Sequence, residues 1–576
     1  MKDPAAKVDV PAGLSEGLSS GLALGSSDEL CERLSRNDGV SDGGAPAIFS
    51  PPVDNQDAAT TQTQQFRSQV GHISRQSGVF FAGTVFAAAF GYVFKVYLAR
   101  TLGPEALGIF ALGITLVGLL GVFNTLGLPQ SAVRFVASYC ASEKFEALHA
   151  LLWRGAGILL AANVFFAALL LTFGRWVAIR VYHSTALVRY LPWFALIMLF
   201  SVLSGFYGKV LAGYKDLGRR TLIVNFIGSP LTMLVAVFLI FRGFGLRGYL
   251  VAQIVSAAVV TVLLFVAVRE MTPTPARFSA RPGAGLEKQI WTFSGAMLGI
   301  GFLEFLMVQA DKIALGFYRG PREVGIYSVA AALVVYVPLV LSSINQIFSP
   351  TIAELHTRSD HAMLARLFQS LTKWVVGLTL PLAGVVIVFA RPLMRIFGSD
   401  FEAGWPVLVI GTVGQLVNCG VGSVGYLLLM SGNEKRLIKV QAVMTIVMVG
   451  LNIALVPWLG SVGAATAAAA TNVGINLWNL VEVRKALGLS PYNRSYIRLV
   501  IPALAMLAAT VLLRINSGYF GRDWIAAAAA FVLAYTVFAA SILVVGLDAD
   551  DRLIATAIWY RVRAVLGKAP TTGFQS

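Results

Sequence analysis

Two lysines at matched positions are the strongest candidates for chemistry in this sequence. Lys95 begins the run KVYLARTLGPEALGIF and Lys312 begins KIALGFYRGPREVGIY, and the two runs align without a gap, with six of sixteen positions identical. A charge close to a membrane-embedded helix is costly and tends to mark function. Two ammonium groups could attract a pyrophosphate or an acidic sugar. The alternative is that each lysine extends its charge to the membrane surface.

Two carboxylates share the apolar segment that carries Lys312. Glu304 lies eight residues before Lys312 and Asp311 lies next to it, so all three fall within about one helical face. Phe94 occupies the position that matches Asp311 in the first run, so the acidic pair belongs to the second half only. Buried carboxylates in transporters often relay protons, which makes a coupling site one interpretation. In the other interpretation, Asp311 neutralises a lysine and Glu304 caps a polar interior.

Polar side chains near the ends of apolar segments form a second group of candidates for substrate binding. They could contact phosphate or sugar hydroxyl groups, although orientation in the membrane and frayed helix ends account for such residues equally well. The basic and amide residues of this group are Arg100, Arg134, Arg154, Asn124, Gln130, Asn345 and Gln346, of which we select Arg100, Arg134, Asn124 and Gln346 as candidate binding residues.

Metal and redox chemistry are not indicated. Cys31, Cys140 and Cys419 are far apart and show no CxxC spacing, and the five histidines include no HExxH. We therefore expect no metal site, no cofactor and no enzymatic activity. The net charge of +16 raises nucleic acid as a partner, but the basic residues lie mostly in loops between apolar segments, where orientation and anionic lipid explain them better.

Composition determines the fold class. Of 576 residues, 57% are hydrophobic and 13% are charged, and the mean hydropathy is +0.73. Apolar segments of about 20 residues, long enough to cross a hydrocarbon core of about 30 Å, recur along the chain. The sequence predicts an all-α polytopic membrane protein with about fourteen transmembrane helices between residues 78 and 546.

The internal repeat that contains the two lysine runs divides the chain into two halves. The offset of 217 residues between the lysine runs nearly recurs later, since Gly245 and Gly248 match Gly460 and Gly463. We predict six-helix bundles at 75–270 and 285–485, two additional helices at 495–547, a disordered tail at 1–70 and a C-terminal tail at 548–576. An even number of helices in each half makes the repeat parallel, a plan found in transporters that alternate access around a central site.

Positive charge predicts the orientation. One set of alternating loops, with the C-terminal tail, contains 25 Lys and Arg residues, and the opposite set contains 12. Because cytoplasmic loops carry the excess of basic residues, both termini are predicted to be cytoplasmic.

A family resemblance adds to this interpretation. The run LARTLGPEALGIFAL resembles the signature of the oligosaccharide flippases, or polysaccharide transporters, of the multidrug/oligosaccharidyl-lipid/polysaccharide exporter superfamily. The segments GLPQSAVRFVASY, QADKIALGFYRGPREVGIYSVA, FSPTIAEL and LGSVGAATAAAAT extend the likeness over roughly residues 75 to 480.

The resemblance implies two bundles around a cationic cavity, in a bacterial inner-membrane protein that moves a lipid-linked oligosaccharide from the inner to the outer leaflet. The lipid carrier implied is undecaprenyl pyrophosphate. Membrane lipids, a polysaccharide polymerase and export machinery are the implied partners. The basic positions Arg100, Arg134 and Arg154 match basic positions near span ends in this family.

Three alternatives remain open. A lipid II flippase is a close relative within the same superfamily. A multidrug or cation antiporter would place acidic residues in its first bundle, where this sequence has none inside the predicted spans. A membrane-embedded polymerase or glycosyltransferase would carry a long loop with clustered Arg, Asp or His, and no loop between predicted spans is much longer than about 25 residues.

Overall fold

The computed structural model describes residues 55–272, 284–516 and 523–546, together with Asp548 and Asp551. Within these ranges the chain forms helices and short turns and contains no strand. The first helix begins at Asn55, so it includes part of the segment 1–70 that was predicted to be disordered. The rest of that segment lies outside the described residues.

The N-terminal helices are long and separated by short turns. They are α1 Asn55–Asn124, α2 Leu128–Ala141, α3 Phe145–Trp176 with a π-helical extension Val177–Val181, α4 Thr185–Val188, α5 Leu191–Gly213, α6 Leu217–Thr221 with a π-helical turn Leu222–Gly228, α7 Ser229–Phe241 and α8 Gly245–Met271.

The C-terminal helices follow the same plan. They are α9 Ala284–Arg319, α10 Pro321–Val334, α11 Leu339–Thr357, α12 His361–Val388, α13 Ala390–Arg395, a 3₁₀ turn Ser399–Gly404, α14 Trp405–Val421, α15 Val424–Met430, α16 Glu434–Leu487, a 3₁₀ turn Arg494–Leu499, α17 Val500–Ile515 and α18 Asp523–Val545.

Eleven helices in the described ranges are long and apolar enough to cross a membrane. A twelfth span is counted if Pro321–Val334 and Leu339–Gln346, which are bent by 50°, form one span. Large apolar side chains on these helices point outward: Phe241 is 86% exposed and Val544 is 88% exposed. Such side chains are stable only against lipid, because in water they would lose the hydrophobic contribution of burial. The prediction of an all-α polytopic membrane protein is confirmed.

Glycine residues interrupt the long helices. Gly103 in α1 has φ 76° and ψ 173°, and Gly320 before α10 has φ 86° and ψ −179°. Residues with a Cβ rarely adopt this backbone, so glycine ends one helical segment, and the proline that follows starts the next with its preset φ. In α16 the interruption is at Gly460, with φ 56° and ψ −132°. These helices therefore change direction at positions that the sequence specifies.

The described chain divides into two compact units. One contains the described residues 55–94, 120–169, 195–272 and 284–299, and the other contains 95–119, 170–194, 300–516 and 523–546 with Asp548 and Asp551. These units do not coincide with the predicted bundles, whose boundaries stay a prediction.

In the first unit, helices approach closely at glycine and serine. Ser256 of α8 donates to the carbonyl of Gly228 at 2.8 Å, and Ser131 of α2 lies 2.6 Å from Ser294 of α9, hydroxyl to hydroxyl. Small residues allow such approach between membrane helices, where the hydrophobic effect does not drive association and dispersion contacts must do so. This unit thus holds α2 against the first turns of α9.

In the second unit, the two C-terminal helices pack against α12. Alanines of α18, including Ala526, Ala530 and Ala534, are almost completely buried in a cluster with Phe389 and Met506. Because alanine has no side chain beyond Cβ, α18 lies close to its neighbours. The additional helices are therefore packed parts of the second unit.

Candidate functional site

Lys95 is exposed, but on the side of α1 that faces protein. Leu98 and Ala99, three and four residues further along, are 4% and 1% exposed, so this side of the helix is packed. Val93, about 160° away around the axis, is 66% exposed and lies on the lipid side. Lys95 therefore extends from the same side of α1 as these packed residues, away from the lipid-facing Val93.

Lys312, which belongs to the second unit as Lys95 does, forms a hydrogen bond with a neighbouring side chain. Its Nζ donates to Gln309 Oε1 at 2.7 Å, and the hydroxyl of Thr115 lies 3.4 Å from the same oxygen. The side chain is only partly exposed. The structure thus gives the two matched lysines different surroundings.

The carboxylate of Asp311 explains part of this difference. Asp311 is 8% exposed; its Oδ1 accepts from the backbone N–H of Lys312 at 2.7 Å, and its Oδ2 accepts from the hydroxyl of Tyr327. In the first half, Phe94 and Phe110 occupy the positions that match Asp311 and Tyr327. The second half therefore has a polar pair where the first half has two phenyl rings.

Glu304 does not belong to this cluster. It is exposed and forms none of the described hydrogen bonds around Asp311. The sequence predicted that Glu304, Asp311 and Lys312 lie together. The structure brings Asp311 and Lys312 together and leaves Glu304 apart from them.

Arg100 caps a short helix. Its Nε donates to the carbonyl of Ile396, the residue that ends α13, at 2.7 Å. A cation at a helix C-terminus satisfies an unpaired carbonyl and interacts favourably with the helix dipole. This contact gives Arg100 a structural task at the end of the first helical segment.

In the first unit, Asn124 is completely buried. Its side-chain amide donates to Asn163 Oδ1 at 2.8 Å, and Asn163 donates to the carbonyl of Leu199 at 3.1 Å. The chain of amides ties the end of α1 to α3 and α5. The other candidate in this unit, Arg134, is exposed and its guanidinium lies 5.0 Å from the ring centre of Phe293. A cation over a ring face is attracted by the ring quadrupole, which orients this side chain.

The remaining amides near helix ends differ in exposure. Gln346 is exposed, whereas Asn345 accepts from the hydroxyl of Ser423. Arg154 and Gln130 are exposed. The sequence could not distinguish these cases, because the partner of Asn345 lies 78 residues away.

Sequence reasoning missed the residues that fix the break in α16. Arg319 donates to the carbonyls of Pro457 at 3.0 Å and Trp458 at 3.3 Å, and Glu323 accepts from the N–H of Ser461 at 3.2 Å. The cation thus satisfies carbonyls before Gly460 and the anion satisfies an amide after it, as helix ends require. The available signal was a pair of opposite charges four residues apart across a Gly-Pro turn.

Sequence reasoning also missed a buried ion pair. Lys373 of α12 contacts the carboxylate of Asp551, which also accepts from the indole N–H of Trp374 at 3.1 Å. Both charged side chains are less than 10% exposed. The pair joins α12 to the chain that follows α18.

These features are those of a helical membrane protein with polar groups on the protein-facing sides of its helices. Residues 73–356 match the family described as polysaccharide biosynthesis protein. The resemblance to polysaccharide transporters that the sequence motifs carry is confirmed by this match and by the relatives that follow.

The succinoglycan biosynthesis transport protein ExoT of Rhizobium meliloti is 27% identical over 54% of this chain, and the match spans 60% of that relative's length. The probable flippase AglR of Haloferax volcanii is 24% identical over 72% of this chain and 83% of its own length. Among solved structures, the lipid II flippase MurJ in an inward closed conformation matches with a TM-score of 0.64 at 13% identity, covering 84% of this chain and 99% of that one. At that identity the likeness concerns the fold.

Proposed function

We propose that this protein is a flippase that moves a lipid-linked oligosaccharide from the inner to the outer leaflet of a bacterial inner membrane by alternating access. The single observation that carries the proposal is the position of Lys95, an exposed cation on the protein-facing side of α1. The names of the relatives, a succinoglycan biosynthesis transport protein and a probable flippase, support the class of substrate. The carrier is undecaprenyl pyrophosphate in this proposal, and a lipid II flippase is the nearest alternative.

Lys95 holds the anionic part of the substrate. In its counterpart, the ammonium of Lys312 donates to Gln309, and the carboxylate of the adjacent residue Asp311 is the proposed compensating charge, whereas Phe94 stands at the matching position next to Lys95. At an effective dielectric constant near 20, two unit charges 4 Å apart interact by about 4 kcal/mol. An uncompensated lysine in a partly desolvated path therefore attracts a pyrophosphate strongly, and a compensated lysine does so weakly.

The other candidates take supporting positions in this proposal. Arg134, exposed on α2, meets the pyrophosphate first from the cytoplasmic side, and Gln346 contacts the sugar. Arg100 and Asn124 hold helices in place through the contacts described above. Asp311 neutralises Lys312, and the exposed Glu304 is the better candidate for coupling transport to a proton or cation.

We also propose fourteen spans in a parallel repeat. Counting the segments on either side of Gly103 and Gly460 separately, and the bent pair as one span, gives that number. Matched positions have similar backbone conformations: φ is 76° and 86° at Gly103 and Gly320, and 53° and 56° at Gly245 and Gly460. Similar φ values at nearly equal offsets support one ancestral unit used twice.

Both termini are cytoplasmic in this proposal, which follows from the bias of basic residues. The contact between Lys373 and Asp551 is compatible with it, because it requires the turn of α12 that carries Lys373 and the chain after α18 to lie towards the same side of the membrane. The predicted orientation places both positions in the cytoplasm.

The test is the pool of lipid-linked oligosaccharide in cells that depend on Lys95→Gln. Loss of transport should make intermediates accumulate in the inner leaflet and reduce exported polysaccharide at least tenfold, with normal protein in the membrane. Lys144→Gln, which changes an exposed lysine in the turn before α3, is the matched control and should be silent. Normal export by both Lys95→Gln and Lys95→Glu at wild-type abundance contradicts the proposal.

A further inference from the structure

The second segment of α16 carries a stripe of amides. Asn472, Asn476 and Asn479 are spaced by four and three residues, so their side chains lie one above the other on a single face. Leu477 and Val481, on the opposite face, are 46% and 44% exposed and lie on the lipid side. The amide stripe therefore faces the interior of the second unit.

A second pair of amides lies on the neighbouring helix. Gln415 and Asn418 of α14 are one turn apart and lie opposite Val413, which is 49% exposed. The two helices are in contact here, since Asn472 Nδ2 lies 3.4 Å from the carbonyl of Gly414. Five amide side chains therefore lie on the protein-facing sides of two helices that are in contact, and we call them the amide surface.

The amide surface has hydrogen-bonding capacity that the described protein does not use. Asn418 donates to Gln415 Oε1 at 2.9 Å, and Asn476 donates to Asn472 Oδ1 at 3.1 Å. Asn479 is only 3% exposed, and its Oδ1 has no partner among the described residues. Each primary amide offers two donors and two acceptor sites, so the contacts that exist fill a minority of them. The partly exposed amides Gln415, Asn418 and Asn472 therefore keep donors or acceptors that a ligand can reach.

The stretches of α14 and α16 that carry this surface have no charged side chain, and Glu482 follows three residues after Asn479. No Asp, Glu, Lys, Arg or His occurs from Trp405 to Asn433 or from Val440 to Val481. Amides bind neutral groups that both donate and accept, and an ionised phosphate would find no cation here. Adjacent hydroxyl groups of a sugar ring match the donor and acceptor pair of an amide.

We propose that the amide surface of Gln415, Asn418, Asn472, Asn476 and Asn479 binds hydroxyl groups of a neutral sugar in the transported lipid. The inference rests on the proposed function and adds a second site to it. Lys95 holds the phosphate of the carrier, and the amide surface recognises the sugar, so the two ends of the head group contact different helices.

The experiment uses the full-length protein in nanodiscs and two probes. One is synthetic undecaprenyl pyrophosphate that bears a neutral hexose disaccharide, and the other is undecaprenyl pyrophosphate without sugar. Each substitution that removes an amide partner of a sugar hydroxyl group should weaken binding of the glycosylated probe by about threefold to tenfold. Gln415→Ala, Asn418→Ala and Asn472→Ala, which change partly exposed positions, should lower its affinity and leave that of the unglycosylated probe unchanged.

Asn452→Ala is the matched control. Asn452 is a buried amide in the first segment of α16, before the break at Gly460; it donates to the carbonyl of Met448, and its Oδ1, like that of Asn479, has no partner among the described residues. Because it lies twenty residues from the nearest amide of the surface on this helix, its loss should change neither affinity. Unchanged binding of the unglycosylated probe also shows that each variant is folded.

The outcomes separate the two proposals. If the three amide variants bind the glycosylated probe as the wild type does, the amide surface merely packs two helices and the inference is wrong, while the proposed function stands. Equal wild-type affinity for both probes contradicts the inference in the same way. If the wild type binds neither probe, the proposed function fails and the inference fails with it.

Discussion

Gly108 and Gly325 each lie against the carbonyl of the proline that begins the other's helical segment. A Cβ on Gly108 would lie 1.7 Å from the oxygen of Pro321, and a Cβ on Gly325 would lie 1.8 Å from the oxygen of Pro104. The contact is reciprocal between matched positions of the repeat. Only residues without a side chain allow the two turns to approach so closely.

Gly108→Ala should separate these turns. The added methyl overlaps backbone atoms, and overpacking of this kind costs about 1–3 kcal/mol. If the turns form a closed outer side, the change should increase labelling of a cysteine at Lys95 by an impermeant thiol reagent added outside the cell.

Gly121→Ala is the control for this first prediction, because Gly121 lies in the same helix with nothing within 4 Å of the added Cβ. Equal labelling in Gly108→Ala, Gly121→Ala and the parent would mean that the turns do not restrict access from outside.

The second prediction concerns the compensated lysine. Lys312→Gln should reduce export if the ammonium of Lys312, which donates to Gln309, is the cation that compensates the adjacent buried carboxylate of Asp311. The double variant Lys312→Gln with Asp311→Asn removes both charges and should recover most of that loss. Export per molecule in the membrane is the measurement. If the double variant is as defective as Lys312→Gln alone, Lys312 itself contacts the substrate.

The third prediction concerns the ion pair of Lys373 and Asp551. Removing one partner of a buried pair leaves an uncompensated charge and typically costs about 3–5 kcal/mol. Asp551→Asn should therefore lower the melting temperature of the purified protein markedly, and Lys373→Met with Asp551→Leu should restore it.

Arg322→Met tests the same chemistry at an exposed pair. Arg322 and Asp400 are 65% and 59% exposed, and such pairs contribute about 0–1 kcal/mol. If Asp551→Asn and Arg322→Met lower the melting temperature by similar amounts, burial is not the reason that the pair of Lys373 and Asp551 stabilises the protein.

The fourth prediction concerns orientation. In a chain whose cysteines are replaced by alanine, a cysteine at Lys144 should be protected from impermeant reagents in intact cells, and a cysteine at Arg322 should react. Both positions are exposed, so access through the membrane decides the result. Rapid labelling at Lys144 from outside would reverse the proposed topology.

Much of the fold was predictable because it depends on local properties. A lipid-spanning helix requires a long apolar run, and a helix break at Gly103 or Gly320 requires a residue that tolerates positive φ. The matched lysines were also visible, since the repeat places them at equal distances from equal turns. Composition and spacing therefore determined the class of protein, its approximate spans and its strongest candidate residues.

The surroundings of those residues depend on tertiary structure. Lys95 and Lys312 look equivalent in the alignment, but Asp311 accepts from Tyr327, sixteen residues away across the turn between α9 and α10, and this contact fixes the carboxylate beside Lys312. Asn124 is buried against Asn163, 39 residues away. Charge compensation and burial decide whether a polar group is available to a substrate, and both depend on which distant side chains packing brings within hydrogen-bonding distance.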